Sequence, residues 1–143
     1  MWIQDAKREM SSSQWQGRHK PIMLDTRITL SALWVALMLT YLLGDVLRIF
    51  SGDATSGKMG NVQFTQGMWL GIAILMVIPI VMVVLSLILH YPVNRWANII
   101  VAAFFFLFNL VGLPTYPSAY DKFLIVVGLV FNVVTVWTAW QWV

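Results

Sequence analysis

The sequence predicts an all-α protein, a membrane-embedded four-helix bundle. Three observations carry that expectation. The 143-residue chain is 59% apolar and only 10% charged, with a mean hydropathy of +0.77. Soluble domains carry about 25% charged residues. A chain this short has too little interior to hide so much apolar surface, so lipid must cover it. Four apolar runs each approach the ~20 residues that a helix needs to cross a bilayer core of roughly 30 Å. The runs are continuous. A β-barrel, the other structure that satisfies its backbone in lipid, would show segments of about 10 residues with alternating hydrophobicity.

Taken in order, residues 1–27 are polar and mixed in charge, and read as a cytoplasmic tail. The four-span domain is expected over 28–143, with helices at 28–50, 67–90, 96–113 and 123–143. The first run is too long for a signal-peptide core and no Ala-x-Ala site follows it, so it reads as an uncleaved anchor. The 91–95 connection, "YPVNR", makes the second and third helices antiparallel neighbours. Pro114 and Pro117 stop the third helix, because proline lacks the N–H that a helix interior requires. The 51–66 loop is the one long connection and carries three glycines.

Orientation follows from the basic residues in the short flanks. Lys7, Arg8, Arg18, Lys20, Arg27 and Arg95 fall on one side; Arg48, Lys58 and Lys122 fall on the other. Six against three places both termini in the cytoplasm of a cell with an inner (plasma) membrane. Trp69, Tyr116 and Tyr120 mark the outer interface, and Tyr91, Trp96, Trp140 and Trp142 the inner one. Their rings are apolar while the N–H or O–H seeks water.

Several chemistries are excluded. There is no cysteine, hence no disulfide, thiolate nucleophile or Cys-ligated metal. His19 lies in the tail and His90 closes the second helix, so no interior imidazole faces another across the bundle to hold haem. No His or carboxylate spacing suits zinc or di-iron, and no phosphate loop or dinucleotide fingerprint is present. The expectation is no cofactor, no metal and no catalytic residue. Nucleic acid is not an expected partner either, since it requires a broad basic surface with stacking groups.

The candidate ligand-binding residues are Tyr41, Asp45, Arg48, Asn109 and Asn132. Asp45 lies five residues before Phe50, roughly 8 Å inside the helix end at 1.5 Å per residue. Ionisable groups at such depth usually face a bundle interior or a wet cavity. Arg48 at i+3 and Tyr41 at i−4 are expected on the same face. Asn109 falls at a similar depth, and Asn132 lies near mid-membrane with Thr135 at i+3. An amide in lipid should face inward and find a partner. Two readings stand side by side: an ion pair snorkelling to the headgroups with asparagines as interhelical glue, or the polar lining of a site. Pro79 is expected to bend the second helix, and "FFFLF" (Phe104–Phe108) to pack against core or lipid.

The stretch from Thr65 to Ile100, with "LSALW" (Leu30–Trp34), Asp45 and "VWTAWQW" (Val136–Trp142), resembles an uncharacterised family of small bacterial four-helix membrane proteins. The resemblance covers about 28–143 and leaves out the tail. Similar sequences often carry a glutamate just before "IPI"; Val77 stands there in this chain. By helix count alone the chain is also similar to DoxX-like membrane proteins, which transfers no function. These features favour a non-enzymatic inner-membrane protein that binds a lipid, a hydrophobic small molecule or a partner subunit through an outward-facing polar cluster. A small oligomeric transporter or proton-coupled channel is one alternative. An enzyme on a lipid-soluble substrate is the other, with Asp45 as its one available acid or base. The expected partners are the bilayer, a second copy of the chain and a protein partner.

Overall fold

The computed structural model describes residues 25–55, 58–59, 62–63 and 65–142, with side chains at 25–53 and 65–142. The expected tail lies outside the described residues as far as residue 24. The described chain forms helices α1 (Thr26–Ser51), α2 (Gln66–Ile88), α3 (Val93–Gly112) and α4 (Ala119–Gln141). All four are long and apolar enough to cross a membrane. A 3-10 turn, Leu113–Thr115, follows α3. The loop after α1 is not wholly irregular. It holds three two-residue antiparallel strands, β1 (Ala54–Thr55), β2 (Lys58–Met59) and β3 (Val62–Gln63), in the order β1-β2-β3.

The helices begin earlier than expected because their start signals lie outside the apolar runs. Asp25 caps α1 by accepting from the Arg27 backbone N–H at 3.1 Å, and Thr65 caps α2 by accepting from the Met68 N–H at 3.4 Å. α1 ends at Gly52, whose φ of 80° is left-handed backbone that a Cβ would strain. Helix α3 starts at Val93, so the turn between α2 and α3 is only 89–92. α1 lies against both α2 and α4, and α3 packs chiefly on α4. α2 and α3 are antiparallel, as the short turn requires, yet their hydrogen bonds to each other sit at the turn end.

Outward-facing apolar side chains cover all four helices, as lipid allows. The inward core is small: Trp34, Leu37, Met82, Ala102 and Phe105. Trp34 meets the edge of Phe105, with ring centroids 6.3 Å apart. Of the expected aromatic block, Phe105 is the member that turns fully inward; Phe104 and Phe108 face out. Pro79 is buried within α2 and joins Met82 and Ser86 in its one inward stripe.

Beside this core runs a buried polar network. Asn94 Nδ2 donates to the carbonyls of Ser86 (2.7 Å), in the last turn of α2, and Leu89 (3.1 Å), just past its end. Those carbonyls have lost their helical partners. Asn98 Nδ2 donates to Asn94 Oδ1 at 2.7 Å, and Asn98 Oδ1 accepts from Trp34 Nε1 (2.7 Å) and Ser86 Oγ (3.0 Å). One amide therefore ties α1, α2 and α3 together. Ser31 Oγ adds a bond from α1 to the Val83 carbonyl at 2.9 Å.

Asn98→Leu would strand the Trp34 and Ser86 donors, each shielded from water. The expected loss is roughly 1–3 kcal/mol of folding stability, measured by denaturant unfolding in detergent. Ser31→Ala should cost clearly less. Equal losses would mean that the network adds nothing beyond single bonds.

Candidate functional site

Among the described residues, most of the charge gathers at the end of the bundle that carries the β-strands. Arg48, near the C-terminus of α1, donates to Asp121 in the first turn of α4: Nε to Oδ2 at 3.2 Å and Nη2 to Oδ1 at 3.0 Å. The pair is well shielded, with side chains 14% and 4% exposed. The guanidinium also lies over the Tyr116 ring, 4.5 Å from its centroid, within cation–π reach. Asp121 therefore neutralises the charge and fixes its direction through a two-point fork.

Just beyond, Asp53 Oδ2 accepts from Tyr120, from Ser118 Oγ at 2.9 Å and from Ser51 Oγ at 3.0 Å. Tyr120 first, then Ser118 and Ser51, hold the Asp53 carboxyl below its ordinary 3.8 by stabilising the charged form. Ser118 precedes α4 but makes no side-chain cap to it, because its hydroxyl reaches across to Asp53.

Deeper in the bundle, Asn109 Nδ2 donates to the Tyr41 hydroxyl at 2.6 Å and to the Phe105 carbonyl at 2.7 Å. The Tyr41 ring also reaches Gly128 of α4, whose carbonyl holds the Asn132 amide. Asn132 Nδ2 donates to the Gly128 carbonyl at 3.0 Å, while its buried Oδ1 accepts no hydrogen bond. Gly128 makes the space: a Cβ there would stand 3.3 Å from Tyr41 Cε1. Thr135 bonds back to its own helix, at the Phe131 carbonyl.

Of the five expected site residues, Tyr41, Asn109 and Asn132 come together. Arg48 joins a separate cluster with Asp121 and Tyr116. Asp45 lies at the edge of that cluster: it is 64% exposed, and its carboxylate makes a long ion pair, 3.8 Å, with Arg48 Nη1. The reason is angular. At about 100° per residue, Tyr41 and Arg48, seven apart, differ by roughly 20° around the axis. Asp45 sits roughly 60° from Arg48 and turns outward. One face therefore holds Tyr41 and Arg48, with Asp45 at its edge.

Sequence reasoning passed over Asn94 and Asn98, and gave Asp121 no partner. Reading the third helix from Trp96 put Asn94 in a loop. The inward-amide argument applied to Asn109 and Asn132 covers Asn98 equally well. Asp121 paired with Arg48 has no local signal, since 73 residues separate them.

A groove of about 530 Å³ runs along α3 to this end, lined by Phe104, Leu107, Phe108 and Val111 and, at its polar end, Asn109, Thr115 and Tyr116. No hydrogen bond to Asn109 Oδ1 occurs among the described residues. A second groove of about 520 Å³, almost wholly apolar, lies between α3 and α4 beside Trp137 and Trp140. Among the described residues, no group of three or more His, Cys, Asp or Glu is placed to hold a metal ion.

Asp121→Asn and Arg48→Gln should each cost about 3 kcal/mol, because each leaves a shielded charge unpaired. The double change Arg48→Met with Asp121→Leu should cost less than either. Asp45→Asn should stay within about 0.5 kcal/mol, as exposed positions do. Unfolding in detergent measures all four; a loss at Asp45 equal to that at Asp121 would reverse the assignment of partners.

No curated protein and no solved structure matches the chain. A family of unknown function, DUF6326, matches residues 14–141. The match takes in all four helices and begins inside the expected tail, so the likeness reaches further toward the N-terminus than 28–143. A multi-pass membrane protein by its spans, the chain belongs to DUF6326, a family of unknown function.

Proposed function

We propose that the protein is a non-enzymatic binder of a lipid-soluble amphiphile, held along α3 with its polar end at Asn109, Thr115 and Tyr116. One observation carries this reading: a largely apolar groove is lined in part by Asn109, whose Nδ2 is committed twice while its Oδ1 has no partner among the described residues. An acceptor in the lining of such a groove suits a ligand with a long chain and a hydrogen-bond-donating head. The Tyr41 hydroxyl and the Phe105 carbonyl hold the Asn109 amide in place, so the site is organised before the ligand arrives. The arrangement favours binding over catalysis, because the groups that line the groove are amide, hydroxyl and phenol.

Gly112→Phe would fill the groove from its edge without touching Asn109, since a Cβ there meets only Tyr116 Cε2, at 3.6 Å. A photoactivatable diacylglycerol should label α3 of the wild-type protein in bilayers, and labelling should fall several-fold in Gly112→Phe and in Asn109→Leu. Equal labelling of all four helices, or labelling unchanged in Gly112→Phe, would sink the reading.

The same proposal places the protein in a bacterial inner membrane with the 89–92 turn and both termini in the cytoplasm, as the six-to-three distribution of basic residues favours. The chain has no cysteine, so single replacements report cleanly. On intact cells a membrane-impermeant maleimide should label Ser51→Cys, and should label His90→Cys only after permeabilisation. The opposite pattern would invert the topology.

A further inference from the structure

The bundle end that carries the 89–92 turn differs chemically from the other. Arg95, in the first turn of α3, lies over the Trp140 ring of α4 at 5.4 Å, and its Nη1 reaches the Tyr91 hydroxyl at 3.4 Å. Arg27, in the first turn of α1, lies 5.9 Å from the ring of Trp142. Tyr91 and Trp142 pack on each other at 5.8 Å. Two guanidinium groups thus flank one aromatic pair, and the chain of contacts crosses from α1 through α4 to the turn and α3.

Neither guanidinium has a carboxylate within 4.0 Å among the described residues. Asp25, the acidic group beside Arg27, uses its carboxylate to cap α1 through the Arg27 backbone N–H. Arg95 Nε is buried with no hydrogen-bond partner, so a cation has been partly drawn from water with no anion to balance it. Arg48, at the opposite end, is fully paired. Tyr91, Trp96 and Trp140 are exposed, and rings of this kind settle at the headgroup level of a bilayer. Planar guanidinium groups match phosphate through two-point hydrogen bonding.

We infer that Arg27 and Arg95, lying over Trp142 and Trp140, each present a guanidinium to the phosphates of anionic phospholipid headgroups at this end of the bundle. The site stands apart from the α3 groove and does not depend on it. The lipid's acyl chains would lie against the apolar outer faces of α1 and α4, and the phosphate would meet the open Nη edges of the arginines. Each basic group near an anionic surface contributes roughly a fivefold preference.

The test uses the full chain in bilayers of phosphatidylcholine with a minor share of phosphatidylglycerol, and native mass spectrometry of the retained lipid. Wild type should retain phosphatidylglycerol about tenfold above its share of the bilayer. The double variant Arg27→Gln with Arg95→Gln should fall toward that share, and Arg27→Lys with Arg95→Lys should recover part of the preference. The same retention in both double variants and wild type would overturn the site and move the preference to the basic residues before position 25. No preference in the wild type would overturn it outright. In a third arm, inorganic phosphate is added to pure phosphatidylcholine bilayers. Thermal stabilisation there as large as that given by phosphatidylglycerol would overturn the lipid assignment in favour of a free anion.

Discussion

A polar group inside a membrane-spanning bundle must find its partner within the protein, because lipid offers no hydrogen bonds. The rest of this structure depends on how the chain meets that demand. The Asn98 side chain does so for three helices at once: its Oδ1 takes the Trp34 and Ser86 donors, and its Nδ2 engages Asn94. Hydrophobic burial cannot set the register of these helices, since their outward faces are as apolar as the lipid. A few directional bonds and the small Trp34–Phe105 core set it instead.

The two ends of the bundle meet the same demand differently. At the strand-bearing end Arg48 finds an acid in Asp121, while Asp53 gathers three hydroxyl donors. That end is locked, and it joins α1 to α4. At the turn end the arginines rest on aromatic rings without an acid. The two ends therefore balance their arginines by different means, a carboxylate at one and aromatic rings at the other.

Asp45 stands within ion-pair distance of Arg48, at 3.8 Å, as its i+3 spacing allows, but on the exposed side of the helix. A helix turns about 100° per residue, so Arg48 points toward α4 and Asp45 toward the outside. Asp121, on another helix, then supplies the shielded counter-charge. The lesson concerns rotation about the axis, which depth and spacing alone leave loose.

The sequence by itself determined the membrane-spanning, all-α character of the chain, since four apolar runs of bilayer length admit few other structures. It also determined that Asn109 and Asn132 turn inward, because an amide costs too much against lipid. Their convergence on Tyr41 was beyond it, as was the Arg48–Asp121 pair. Both join residues some seventy to ninety positions apart, and sequence spacing places side chains only along one helix. The helix starts at Asp25 and Thr65 were legible as capping residues but lay outside the apolar runs that drew attention. Beyond the antiparallel turn between α2 and α3, tertiary structure alone decided which helices pack together and how each is rotated. Those two choices decide whether a polar side chain meets another polar side chain or faces the bilayer.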